Sequence, residues 1–389
     1  MFNVKKSVAD ITPQVVTWRR QIHKNPEVGF EEHKTAALVE SVLKEAGIEV
    51  TRFPDSTAVL GVIKGAKPGR TIALRADMDA LPVQELIETE FKSEVPGVMH
   101  ACGHDVHTAV LMGAATVLAQ HKDELAGTIK LFFQPAEERF PGGALGMIEN
   151  GVMEGVERVF GLHVGVDLET GKLAVSHGYS HANCDMADIR IIGKGGHGAV
   201  PHRTVDAVVI GSQIVLALQT IVSRNVSPQD SAVISVGSIQ SGSIHNVIAE
   251  EALLKLTIRS LDPNTRVLIR ERIEAIVKGI SEAMNATYEI EYVMGYPSVN
   301  NNVEMADMFK GVGEQIVGEG NVEVRTIPTM GGEDFAYFAQ KAPGSFLRLG
   351  ARPDKEVVAN AHNPKFEVNE DCIPIGLAAM IGIALKAVE

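Results

Sequence analysis

The chain is poor in three things, and each shortage excludes something. It has three cysteines in 389 residues, Cys102, Cys184 and Cys372. An odd number at wide spacing cannot build a disulfide framework, and it fits a reducing, cytoplasmic setting. The chain is also short of basic charge, with 36 Lys and Arg against 49 Asp and Glu and a formal net charge of −13. A nucleic-acid-binding face needs cations to neutralise phosphates, so this balance argues against that class. Long apolar runs are scarce as well. The stretch near 373–385 has Pro374 inside it and is too short to span a bilayer. Residues 1–10 contain no apolar segment of the signal-peptide kind. No low-complexity tract or fixed-period repeat is visible.

What is present is the composition of an ordinary globular protein, 45% apolar and 22% charged, with ample material for a core. A cap followed by proline at Thr12-Pro13 predicts a helix over 12–24, with Val15, Trp18 and Ile22 on one face. A second helix is predicted over 31–46, stopped by Gly47. Strand-like runs follow at 58–63 and 71–76, then a helix at 105–121, a strand at 127–133, a short helix near 143–150 and a strand at 158–163. This alternation predicts an α/β layer fold around a buried sheet. After residue 180 the order becomes strand 184–193, helix 204–224, strands 231–238 and 250–260, helix 264–284 and strand 287–293. That β-α-β-β-α-β order is the ferredoxin-like unit. The α/β alternation then resumes, with a short helix after Gly331-Gly332 and a final one near 371–387. We therefore expect a discontinuous main domain, 1–181 and 295–389, with 182–294 inserted.

The densest chemistry lies in His100-Ala101-Cys102-Gly103-His104-Asp105-Val106-His107. Imidazole and thiolate suit zinc or another late first-row metal, and Gly103 lets the backbone bend so that flanking side chains face one ion. A Cys–His nucleophile at Cys102 and His104 is the competing reading. Gln134-Pro135-Ala136-Glu137-Glu138 follows an apolar strand. Adjacent carboxylates repel, so such a pair calls for a cation unless it is simply an exposed acidic turn. One carboxylate could then be a ligand and the other a general base. In Arg75-Ala76-Asp77-Met78-Asp79-Ala80-Leu81-Pro82 the aspartates either form a turn or orient a ligating histidine. Lone histidines are more often structural. His163 and His362 matter as candidates to complete a site that already has cysteine, histidine and glutamate.

These stretches, together with Arg20-Gln21-Ile22-His23-Lys24-Asn25-Pro26-Glu27 and Met330-Gly331-Gly332-Glu333-Asp334-Phe335, resemble the M20 family of metallopeptidases and amidohydrolases. The nearest branch is that of hippurate hydrolases, N-acyl-amino-acid amidohydrolases and plant auxin-conjugate hydrolases. The resemblance implies a mixed-sheet catalytic domain of the zinc-exopeptidase type with an inserted ferredoxin-like dimerisation or lid domain. It implies two divalent ions per subunit (zinc, manganese, cobalt or nickel), bridged by Cys102 and held further by His104, Glu138, His163 and His362. Glu137 would be the general base and Asp79 would orient a ligand from behind. Asp77 falls where other branches carry a ligating histidine. In the insert, His197 matches a histidine that reaches the partner subunit's site as an oxyanion donor, with His202 competing for that role. Asn246 and Arg259 match positions that hold the substrate carboxylate, a job suited to the guanidinium fork. The resemblance further implies a homodimer through the inserted domain, without nucleic acid or membrane.

The expected reaction is hydrolysis of the amide of an N-acyl amino acid by a metal-activated water. Closure of the small domain over the main one would complete the site, and Arg139-Phe140-Pro141-Gly142 and Tyr179 would shape the acyl pocket. The alternatives are a dipeptidase or carboxypeptidase of the same family, a cysteine hydrolase, and a non-catalytic binder of metal or acyl amino acid. Glu137 beside Glu138 argues against the last, because a pure binder needs no base.

Overall fold

The computed structural model describes residues 2–389, which form two compact units. The larger takes the segment up to Ser180, Asn300–Ile327 and Asp334–Glu389; the smaller takes His181–Val299 and Pro328–Glu333. Pro328–Glu333, placed in the main domain by the sequence reading, thus packs with the smaller unit. The Ala182 N–H donates to Gly331 O, and a Cβ on Gly332 would meet Cys184 Sγ at 2.1 Å.

The larger unit is built on an eight-stranded mixed sheet. Its strand order is Glu49–Arg52, Val59–Lys64, Ala126–Gln134, Lys67–Asp77, Arg158–Glu169, Gly344–Arg352, Leu173–Ser176, Val322–Arg325. The four central strands, from Ala126–Gln134 to Gly344–Arg352, run parallel. Such strands are covered on both faces and read as near-continuous apolar runs, and Ile72, Leu74, Leu131, Phe132, Phe133 and Phe160 are all fully buried. Helices Val4–Lys24, His104–Gln120 and Cys372–Ala387 pack together in the main core.

The first helix begins at Val4, capped by Asn3, not at Thr12-Pro13. Pro13 lies inside it but on the exposed side. The carbonyl that proline leaves without a partner can therefore take water, while Val8, Val15 and Ile22 anchor the helix to the core. The strand expected at 158–163 continues to Glu169.

The smaller unit is a four-stranded antiparallel sheet in the order Ala232–Ser241, Glu251–Ser260, Asp185–Ile192, Thr287–Val293. Helices Ala207–Thr220 and Pro263–Ala283 pack on it, as the β-α-β-β-α-β order predicts. Each opens on an aspartate cap, Asp206 and Asp262, whose side chain accepts the first free N–H groups. In Glu251–Ser260 every second residue is buried, from Ala252 to Ile258 and Ser260, the period of a strand with one covered face. The run Ala207–Asn225 is long and apolar enough to cross a membrane by length and composition. Here Ile210, Ile214 and Leu218 are buried in the core of the smaller unit, whereas Val208, Leu216 and Val222 are exposed.

Candidate metal centre

Parallel strands end together, so residues just beyond their carboxyl ends converge. Asp77 ends Lys67–Asp77, Gln134 ends Ala126–Gln134 three residues before Glu137, and His163 lies within Arg158–Glu169. The helix His104–Gln120 opens at the same place. Its N-cap is Gly103 at φ +89°, where a Cβ would meet Val164 Cγ2 at 2.3 Å. Only glycine fits that turn.

Cys102, His104 and His163 offer ligand atoms within 4.8 Å of one another. So do Cys102, Glu138 and His362, and His104, Glu137 and Glu138. The sets overlap at Cys102, at His104 and at Glu138, so the five expected ligands and Glu137 form one cluster. Cys102 Sγ is 3.4 Å from His163 Nε2, and His362 Nε2 is 3.0 Å from Glu138 Oε1.

Four of the five candidate ligands are held from behind. His104 Nδ1 lies 3.1 Å from Asp79 Oδ1, while the Glu138 N–H donates to Asp79 Oδ2 at 2.9 Å. One carboxylate therefore orients a ring and a backbone turn together. His163 Nδ1 donates to Val164 O at 2.7 Å, which leaves Nε2 as the bare nitrogen facing Cys102. The His362 N–H donates to Ala101 O, and His362 has φ +67°.

The cluster fits divalent cations. His104 Nε2 is buried with no hydrogen-bond partner, a cost that a metal ligand does not bear. Burial, with the Glu138 carboxylate beside it, pushes the Cys102 thiol up to about 12, so a thiolate here needs a cation. Burial would lower His104, but Asp77 and Asp79 outweigh it and raise that imidazole well above its usual value. Burial holds His163 well below its own. Near neutral pH His163 therefore offers a bare nitrogen, while His104 and Cys102 hold protons that a bound cation would displace. The same depression of the thiolate weighs against a cysteine nucleophile.

Ligand atoms of Asp77, His104 and His107 also lie within 4.8 Å of one another, but of the three histidines from His100 to His107 only His104 brings a free nitrogen to the cluster. His107 Nδ1 pairs with Asp77 Oδ1 at 2.6 Å, and its Nε2 accepts the Val164 N–H at 2.9 Å, so both nitrogens are committed. Asp77 also takes Arg75 at 2.6 Å and serves structure rather than metal. His100 is buried, and burial drives it down to about 3.

Sequence reasoning did not assign roles to several supports. Asp334 accepts from Arg75 Nη2 at 2.9 Å and from Gln134 Nε2 at 2.7 Å, and burial raises its carboxyl to about 6. His23 Nδ1 and Arg19 Nε each lie 2.7 Å from Asp105 Oδ2, behind the metal-facing turn. Glu32 accepts the Ala136 N–H at 2.8 Å. Both His23 and Asp334 sit inside recognisable motifs, but Glu31-Glu32 reads as surface acid.

The remaining expected residues lie in the smaller unit. His197 is exposed in a two-residue strand paired with Val247–Ile248, and its Nδ1 accepts the Ala199 N–H at 3.0 Å. Asn246 is also exposed, and its carbonyl accepts the Gly198 N–H. His202 lies in the short turn Pro201–Arg203. Arg259 is partly buried, donates to Thr257 Oγ1 at 3.1 Å, and makes no ion pair among the described residues.

A family model described as "Peptidase family M20/M25/M40" matches residues 73–386. The chain is 47% identical over 299 residues to an N-acyl-L-amino acid amidohydrolase of Geobacillus stearothermophilus, covering 77% of this chain and 80% of that one. It is 43% identical to thermostable carboxypeptidase 2 of Saccharolobus solfataricus over 98% of both chains. Among solved structures it resembles the Bacillus subtilis YXEP protein, described as a dinuclear metal binding peptidase from the M20 family. That match has TM-score 0.83 and 32% identity, and covers 98% of this chain and 99% of that one.

Proposed function

The chain belongs to peptidase family M20/M25/M40 and is an amidohydrolase, and from that premise we propose that it hydrolyses N-acyl amino acids to a carboxylic acid and a free amino acid. The observation that carries this reading is the pair Glu137-Glu138 beyond the strand Ala126–Gln134, set among Cys102, His104, His163 and His362. Cys102, His104, Glu138, His163 and His362 would hold two divalent late first-row ions there. When bound, such ions polarise a carbonyl and bring the pKa of water from 15.7 to about 7.

The protein residues do the rest. Glu137 takes the water proton and passes it to the leaving nitrogen. Asp79 fixes His104 and the Glu138 turn, so the ligands do not reorganise during the reaction. Arg259, lacking an acidic partner, suits the substrate α-carboxylate, with Asn246 beside it in that role. His197, with His202 as the competing candidate, would donate to the developing oxyanion in the partner subunit's site. The exposed rings of Phe30 and Phe140, at 38% and 43%, flank the Glu137 turn in sequence or contact and suit an apolar acyl group.

Both named relatives bear on the choice of substrate. A carboxypeptidase and an N-acyl amino acid hydrolase each cut an amide next to a free carboxylate, so carboxypeptidase activity is the second reading. A homodimer through the smaller unit is supported by the exposed Leu216 and Val222 and by Ile239 on the edge strand Ala232–Ser241. Three free thiols suit a reducing cytoplasm. The test is a panel of benzoyl, acetyl and indole-acyl amino acids and dipeptides, assayed with metal-loaded protein. We expect turnover of acyl amino acids and loss of it when the substrate carboxylate is amidated. Cleavage of dipeptides alone would replace the first reading with the second.

A further inference from the structure

The connection between the first two helices, residues 25–32, touches the active site without offering it a ligand. Glu27 O accepts the Ala80 N–H, next to Asp79, and Val28 bridges to Ala80. The Glu27 side chain accepts the Lys34 and Thr35 N–H groups at 2.9 Å and so ties the loop to the next helix. A Cβ on Gly29 would stand 3.0 Å from Ala136 Cα and 3.0 Å from Arg139 Cβ. The loop therefore lies flat against the turn that carries Glu137 and Glu138.

Glu32 is the clamp in this contact. It is fully buried. Its Oε1 accepts the Ala136 N–H at 2.8 Å and the Phe30 N–H at 3.0 Å, and its Oε2 accepts the Thr57 hydroxyl at 2.5 Å. Ala136 and Phe30 are both left-handed without being glycine, at φ +53° and +69°. Such residues cost on the order of 1 kcal/mol each and persist only where the surroundings hold them. One oxygen thus holds two left-handed N–H groups, one of them on the residue preceding Glu137. No cation pairs with this carboxylate among the described residues. Burial raises it to about 7, so keeping an acid here opposes stability.

We propose that Glu32 is a positioning residue for Glu137, acting through the Ala136 N–H to fix the turn that aims the base at its water. This rests on Glu137 being the general base. A role limited to holding the fold together predicts something different: loss of stability or metal without a selective loss of kcat.

The experiment uses the full, metal-loaded chain and the N-acyl amino acid turned over best in the panel above. Glu32→Ala, Glu32→Gln, Gly29→Ala, Glu137→Ala and the Glu32→Ala/Glu137→Ala double variant are compared for kcat, KM and bound metal. In Glu32→Ala, kcat should fall by about 10- to 100-fold, the scale of a reacting group displaced by up to ~1 Å. KM and metal content should stay within about twofold. Gly29→Ala keeps the carboxylate but presses on the turn, and it should show the same split if Glu32→Ala does not fold. Glu32→Gln keeps an acceptor oxygen for Ala136 and should recover most of kcat. In the double variant, Glu32→Ala should add no further loss to that of Glu137→Ala, because groups acting through one another are not additive. Wild-type kcat in both Glu32→Ala and Gly29→Ala, metal loss in step with activity, or an additive double variant each overturns the positioning role. Full activity in Glu137→Ala alone overturns the underlying general-base reading instead.

Discussion

The two units use polar side chains in opposite ways. In the larger, nearly every group behind the metal-facing cluster is committed: Asp79 holds His104 and Glu138, Asp77 holds His107, and Asp334 holds Arg75 and Gln134. Most of these groups are buried, and among them the ionisation of Asp77, His104, His107 and Asp334 is displaced. In the smaller unit the residues proposed to meet substrate, His197, Asn246 and Arg259, are exposed or only partly buried and have no acidic partner among the described residues. That unit buries Asp185 and Glu333; Asp185 is paired with Arg266 and with Tyr292 at 2.9 Å, a pairing that braces its sheet. The contrast teaches that the groups proposed to break the bond are preorganised by their own unit. The groups proposed to hold substrate are left free to meet a ligand.

The contrast can be broken hardest at Glu137. Glu137→Ala should lower kcat by about 10²- to 10⁴-fold, the range for a general base, with two metals retained by elemental analysis. Loss of metal together with activity would instead make Glu137 a ligand. A chelator should abolish turnover, and added divalent metal should restore it; turnover that survives complete metal removal would revive the cysteine hydrolase.

The next effect reads on stability. Glu32 sits at about 7 in the folded chain, against 4.5 as an ordinary carboxyl. The folded state therefore binds the extra proton, and stability falls as pH rises from near 4.5 to near 7. Glu32→Gln removes this slope. In metal-stripped protein its unfolding free energy relative to wild type should improve between pH 4.5 and pH 8, by about 3 kcal/mol at most. A pH-independent difference would show that Glu32 is ionised without cost.

A smaller loss is expected at the freer end of the comparison. Arg259→Ala should cost about 2 kcal/mol, roughly 30-fold in kcat/KM, as for one charge-assisted hydrogen bond. It should also erase the preference for a substrate with a free carboxylate over its amide. A preserved preference would remove Arg259 from substrate binding. The smallest effect is at Leu216, which is 72% exposed. Leu216→Glu should weaken self-association at least tenfold, about 1.4 kcal/mol, in sedimentation, while the unfolding midpoint barely moves. An unchanged mass would place the dimer contact elsewhere.

Much of the site was legible because its donors are rare residue types beside features that sequence shows well. Cys102 and His104 flank a glycine at a helix start, and Glu137 and Glu138 follow an apolar strand. Such placements survive in any fold that buries the strand. The supports were less legible. Ala136 and Glu32 are 104 residues apart, and Gln134 and Asp334 are 200 apart. No local pattern distinguishes a glutamate that will be buried from one on the surface. His107 misleads for the same reason: it shares a cluster with His104, yet helical geometry turns it onto Asp77 and the Val164 N–H. The first helix shows the limit from the other side. Pro13 looks like a start, but the nine residues before it, from Val4, fold into the helix because Val8 finds the core.

The sequence alone determined the chemical identity of the donors, the alternation of an α/β layer fold, and the order of strands and helices along the smaller unit, because these follow from residue type and local period. Only the tertiary structure decided which histidine nitrogens are paired, which carboxylates join the cluster and which brace it from behind, and which loop packs on the Glu137 turn. Those outcomes depend on burial and on partners that are distant in the chain, and each costs or gains several times more in a dry interior than in the water where local preference is set.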